Sequence, residues 1–74
     1  MPHWFFDPFG IGVELDTIKT VSPVTGSGQY DGLYMIQLTI IVPGSPAWEM
    51  TMLYNDKDTR DNIMMVLRDR LLAL

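Results

Sequence analysis

The sequence predicts an α+β domain, an antiparallel β-meander of three to four strands with one C-terminal helix packed on one face. Three observations carry this expectation. Apolar and polar residues alternate with period two in successive stretches, Pro- and Gly-rich segments separate those stretches, and a helical apolar spacing takes over near the C-terminus. Strands gathered first and a helix last fit a sheet with its helix segregated to one side.

Each element has a local reason. His3-Trp4-Phe5-Phe6 is a short aromatic strand, over about 3–6, and Asp7-Pro8-Phe9-Gly10 after it is turn chemistry. From 11 to about 21, Ile11, Val13 and Leu15 fall on one side and Gly12, Glu14 and Asp16 on the other. The next apolar residues are Ile18 and Val21, so the step lengthens and a bulge or single turn is expected near Asp16-Thr17. Ser22 to Gly32 holds three glycines and a proline among small polar residues and is expected to be a long loop over 22–32. Over 33–42, Tyr34, Ile36, Leu38, Ile40 and Val42 form a wholly apolar face, opposite a mixed one of Leu33, Met35, Gln37, Thr39 and Ile41. Pro43-Gly44 suits the centre of a type II turn. The partner strand over 47–54 puts Trp48, Met50, Met52 and Tyr54 on one side and Glu49, Thr51 and Leu53 on the other.

A helix is expected over about 57–73, because Asn55 and Asp56 can cap a first turn rich in aspartate and Arg68 and Arg70 suit the C-terminal end of the dipole. Asp56 and Arg60 are spaced as a supporting ion pair. Ile63, Leu67, Leu71 and Leu74 share one arc, with Met64 and Val66 at its margins. That stripe should pack on Ile36, Leu38, Met50 and Met52. Arg70 projects into the same arc, where its stem can pack while the guanidinium reaches a rim.

Composition restricts the chemistry. Seventy-four residues make one domain, spanning 1–74, near the lower size at which a chain folds alone. The sequence has no cysteine and one histidine, His3, which removes disulfides, thiolate sites and multi-histidine metal centres within one chain. Lack of disulfides in so small a domain points to the reducing cytoplasm. A formal net charge of −4 argues against nucleic-acid binding, and Lys19, Lys57, Arg60, Arg68 and Arg70 form no stripe. No leader pattern opens the chain, and the apolar run 33–42 is too short to span a membrane as a helix.

No catalytic, cofactor or metal assignment survives comparison with known spacings. Asp56-x-Asp58-x-Arg60 starts like a calcium loop but has no glycine at its sixth position and Leu67 where the bidentate glutamate belongs. Gly10-Ile11-Gly12 and Gly26-Ser27-Gly28 are not followed by helices, so they build no phosphate cradle. Ser22, Ser27 and Ser45 have no local histidine partner. Glu14 and Asp16 could face the same way along a strand as paired carboxylates, without further support for a pocket. No family motif is present. The layout resembles that of many short bacterial and bacteriophage reading frames, an architectural likeness that assigns no residue.

What the sequence does contain is more apolar surface than one helix can cover. A single helix shields one face of a sheet, which leaves Leu33, Met35, Ile41 and Leu53 on the other, while Met65 and Leu72 lie on the back of the helix. Adjacent aromatics in a strand face opposite sides, so Trp4 with Phe6, or else Phe5, stays outside the core. The candidate interface is therefore Trp4, Phe5, Leu33, Met35, Ile41, Leu53, Met65 and Leu72. The expected function is a non-catalytic protein-binding domain that self-associates and engages a larger protein, in the manner of a small acidic phage-type inhibitor. The alternative is a small-ligand binder, for a nucleotide or metabolite, using pockets between subunits and the 22–32 loop.

Overall fold

The computed structural model describes residues 3–74. Strands β1 (Trp4–Phe6) and β2 (Gly12–Glu14) form an antiparallel hairpin, and β3 (Ile18–Thr25), β4 (Tyr34–Ile40) and β5 (Trp48–Tyr54) form an antiparallel sheet in the order β3-β4-β5. Helix α1 (Lys57–Leu72) follows. This is the expected α+β meander with its terminal helix on one side.

The β4–β5 hairpin has the expected faces. Register pairs Ile36 with Met52, Leu38 with Met50 and Ile40 with Trp48 on one side, and Met35 with Leu53 and Gln37 with Thr51 on the other. Ile36, Leu38, Ile40, Met52 and Tyr54 are buried against Ile63 and Leu67 of α1. Each such aliphatic side chain withdrawn from water contributes about 1.5–3 kcal/mol before conformational entropy is charged against it.

The change of step after Leu15 is a 3-10 turn over Leu15–Thr17, with the Thr17 hydroxyl donating to the Glu14 carbonyl at 2.7 Å. That turn divides the stretch expected as one strand over 11–21 into β2 and β3. It also places the hairpin on the helix side of the main sheet, where Phe5, Val13 and Leu15 enter the common core. The covering layer is thus helix plus hairpin, and the opposite face of the sheet carries neither.

The long loop expected over 22–32 is shorter, because Ser22–Thr25 pairs with β4. Pro23 fits in a strand here for a specific reason. Gly26 N donates to Leu33 O at 2.9 Å and Ile41 N donates to Thr17 O at 2.8 Å, so the odd-numbered residues of β4 turn their backbone toward β3. Ser22 and Val24 then occupy the bonded positions, and the missing N–H of Pro23 lies on the outer edge. The remaining turn closes tightly over Gly26, where a Cβ would collide with the Tyr30 carbonyl.

Helix α1 begins at Asp56, whose carboxylate accepts from the backbone N–H and the hydroxyl of Thr59, both at 2.9 Å. Asp56 is therefore the cap and not the ion-pair partner of Arg60. Arg60 is itself buried in the stripe, and Leu74 falls beyond the helix and is exposed. Asp56→Ala should lower the unfolding free energy by about 1 kcal/mol with the fold retained, read from urea denaturation, whereas Asp56→Asn should cost only a fraction of that.

Candidate interaction surfaces

The open face of the sheet is built by the alternate residues Thr20, Ser22 and Val24 of β3, Met35, Gln37 and Thr39 of β4, and Glu49, Thr51 and Leu53 of β5. Its two ends differ in chemistry. At one end the polar groups satisfy one another: Thr20 donates its hydroxyl proton to Thr39 at 2.7 Å, and the Gln37 amide donates to a Glu49 carboxylate oxygen at 2.7 Å. At the other end Val24, Met35 and Leu53 lie in one row across the three strands, and Tyr30 joins them from the short 3-10 turn Gly28–Tyr30. With Gln37 and Thr51 they line a shallow concavity of about 270 Å3.

The sequence-derived candidates divide among several surfaces. Met35 and Leu53 meet in the apolar row, directly opposite each other. Leu33 is half-buried at its border, its backbone held in the turn by Tyr30 O and Gly26 N. Ile41 lies past the far end of β4, beyond the polar half of the face. Trp4 is exposed on the hairpin, stacked on Phe6 with ring centroids 6.0 Å apart. Met65 and Leu72 are exposed on α1, on the helix layer and not on the open face. Phe5 must be withdrawn from the interface set. It is only 4% exposed, because its register partner Val13 and the main-sheet core lie on its side of the hairpin, so Trp4 and Phe6 are the outward pair.

Two buried polar residues hold this arrangement. Asp7 Oδ1 accepts from the N–H groups of Phe9 and Ile11, at 3.0 and 2.8 Å, and Oδ2 accepts from the Tyr54 hydroxyl at 2.8 Å. One carboxylate therefore shapes the β1–β2 turn and ties it to the end of β5. Burial first, and the Asp7 partner second, push the Tyr54 hydroxyl far above its ordinary pKa. Arg60 donates from Nη1 to the carbonyls of Val24 and Met35, at 3.2 and 3.1 Å, and from Nε to Asp61 at 2.7 Å. Its guanidinium also lies 5.6 Å from the Tyr34 ring centroid. On the outer side of the hairpin, Arg70 Nη2 donates to the Trp4 carbonyl at 3.0 Å, so its charged end reaches the backbone of β1. Between hairpin and helix a second concavity of about 410 Å3 is lined by Phe5, Phe6, Pro8, Asn62, Ile63 and Val66, with Asp7.

Two further carboxylates, Asp16 and Asp61, are engaged by neighbouring donors. Glu14 and Asp16 do not share a strand face, since Asp16 lies in the 3-10 turn. Its carboxylate takes the His3 backbone N–H at 3.2 Å and the His3 ring nitrogen at 3.3 Å, which hold it below the usual carboxylate range. Asp61 is likewise lowered, by hydrogen bonds from Lys57 and Arg60. No cluster of three or more potential metal-ligating side chains occurs among the described residues.

No protein-family model, curated protein or solved structure matches this chain.

Among the described residues no helix is long and apolar enough to cross a membrane. Val24 and Tyr30, which join the open face, lie in the stretch 22–32 that the sequence predicts as a long loop. The β-branched residues Thr20, Val21, Val24 and Thr25 were a usable strand signal for the first. Tyr30 had none, because its position depends on how the turn folds back over the sheet.

Proposed function

We propose that this chain is a small acidic, non-catalytic protein-interaction domain that works as a homo-oligomer. The form we favour is a phage-type inhibitor or regulator that occludes part of a larger protein. The observation that carries the reading is the unshielded sheet face, where Val24, Met35 and Leu53 stand in one apolar row while helix and hairpin both cover the opposite side. Leu53 is 46% exposed in a strand of a domain whose core is small, and a wet apolar row of this kind usually marks an interface. The buried carboxylate and guanidinium both make bonds that shape the fold, which gives each a structural role.

Light scattering at micromolar concentration tests self-association, with a mass at least twice the 8.4 kDa of one chain expected. Leu53→Glu should return the protein to monomer mass with an unchanged circular dichroism spectrum, because it places a charge on an exposed position of an otherwise intact strand. A monomer at all concentrations would overturn the homo-oligomer.

The second reading is a small-ligand site, favoured by Tyr30, which the turn brings over a concavity just under the roughly 300 Å3 at which ligand pockets begin. A nucleotide or metabolite bound there at 100 times its Kd would raise stability by about 2.7 kcal/mol in a thermal-shift panel, and Tyr30→Ala would abolish the shift. A panel without shifts removes this reading.

A further inference from the structure

The two edges of the main sheet are treated differently. On β3 the outer edge carries Pro23 and Lys19, and its register slips between Ile18 and Thr20. Proline, lysine and bulges are the devices that keep an edge strand from accepting another strand. The edge of β5 has none of them. Its seven residues, Trp48 to Tyr54, pair in continuous register with β4 and include neither proline nor a basic residue.

Alternation along the ladder identifies the free backbone groups. Odd-numbered residues of β4 face β3, so its even-numbered residues face β5 and bond to Trp48, Met50, Met52 and Tyr54. The N–H and C=O groups of Glu49, Thr51 and Leu53 therefore point outward. No hydrogen bond from another described residue reaches them. The one charge on the strand does not guard this edge, because Gln37 draws the Glu49 carboxylate inward over β4.

We infer that two copies of this chain join through their β5 edges, antiparallel about a two-fold axis at Thr51, into a continuous six-stranded sheet. This rests on the self-association proposed above and specifies its seam. The strand complements itself in that register. Thr51 meets the partner's Thr51, and Glu49 lies opposite the partner's Leu53, so six outward N–H and C=O pairs close and no like charges face each other. On the helix side Met52 and Tyr54 are already buried within their own protomer, at 0% and 3% exposure, so Trp48, which is 51% exposed, and half-buried Met50 are the side chains free to meet the partner there. Phe9, 69% exposed, leans on Tyr54 with centroids 6.0 Å apart, which puts an exposed aromatic near the place that the partner's Trp48 takes in this register. The two-fold axis keeps both helices on one side and merges the two open faces into one on the other. A second copy is the occupant that the sequence itself supplies, since the strand matches its own reverse in character at five of its seven positions, with Glu49 against Leu53 the exception.

Thr51→Pro tests the seam. It removes an outward N–H that β4 does not use, at an edge position where proline is tolerated. The variant should be a monomer by light scattering with its circular dichroism unchanged. Met35→Glu, on β4 and away from the seam, should keep the dimer mass. The reverse result, a dimeric Thr51→Pro and a monomeric Met35→Glu, means that copies stack through their open faces; it overturns the β5 seam and leaves self-association standing. A native protein that is monomeric at every concentration overturns both. If Thr51→Pro does not fold, amide exchange of the native protein decides. The Glu49, Thr51 and Leu53 amides should slow at least tenfold between dilute and concentrated solution while those of Met50 and Met52 stay constant, and concentration-independent exchange at all five overturns the seam.

Discussion

Arg60→Ala should remove about 3 kcal/mol of stability, close to the 3–5 kcal/mol that a core of this size supplies. The guanidinium is buried, and its Nη1 bonds two carbonyls on neighbouring strands, Val24 and Met35. Removing it strips those carbonyls of the hydrogen bond they accept beyond their own strand pairing, opens a cavity, releases the Tyr34 ring, and takes one of two cations from Asp61. Urea denaturation should show the variant near its unfolding midpoint without denaturant. Arg60→Lys keeps the charge but not the planar fork, and should cost about half as much. Arg60→Met fills the space with apolar atoms and should also be milder than alanine, because a buried charge is expensive to leave unpaired and less so to replace. A loss below about 0.5 kcal/mol for alanine would mean that strand pairing alone satisfies both carbonyls and that the clamp is not structural.

Asp7→Ala should be comparably damaging, at about 3 kcal/mol, since one carboxylate answers three donors within the core. Phe9 N, Ile11 N and the Tyr54 hydroxyl would all lose their acceptor. Asp7→Asn keeps an oxygen for the two turn amides, and its NH2 can donate to the Tyr54 oxygen, so about 1 kcal/mol is expected. Tyr54→Phe should cost a similar amount, and the double variant should cost less than the sum because the two groups share one bond. A pH series supplies an independent check. The raised pKa of Tyr54 means that the folded chain holds this proton more tightly than the unfolded chain. The resulting stability is fully present below about pH 10 and is lost as pH rises beyond it, where the unfolded state ionises first. Tyr54→Phe should flatten that alkaline decline. An identical slope in both proteins would remove Tyr54 as its source.

Much of the fold was legible because period-two and helical spacing are local. The β4–β5 pair, its Pro-Gly turn and the burial of Ile36, Leu38, Met52, Ile63 and Leu67 follow from spacing alone. The irregular step near Asp16 was also visible, though its result was not, since a bulge continues a strand and a 3-10 turn redirects it. β3 was missed at its second half because Pro23 and the small residues near it read as loop, and only the pairing partner shows that the proline sits on an outer edge. Arg60 was misassigned for a related reason. Helical spacing places it in line with Ile63 and Leu67 as well as four residues after Asp56, and only the carbonyl acceptors on two strands make its burial tolerable.

The candidate surfaces divide along the same line. The placement of Met35 and Leu53 on the open face was decided by alternation, a property of each strand by itself. Which aromatic of the first strand turns inward could not be decided that way, because Phe5 and its neighbours differ little in hydrophobicity and a strand offers both of its sides. The hairpin's packing against β5, tied by Asp7 and Tyr54, made that choice. The unprotected edge of β5 likewise exists only in the assembled sheet. Strand order is set by the closure of turns and the docking of layers, and no single segment records whether its neighbour lies on one side or both. What residues prefer is written along the chain; which of those preferences remain unmet is a property of the packed molecule.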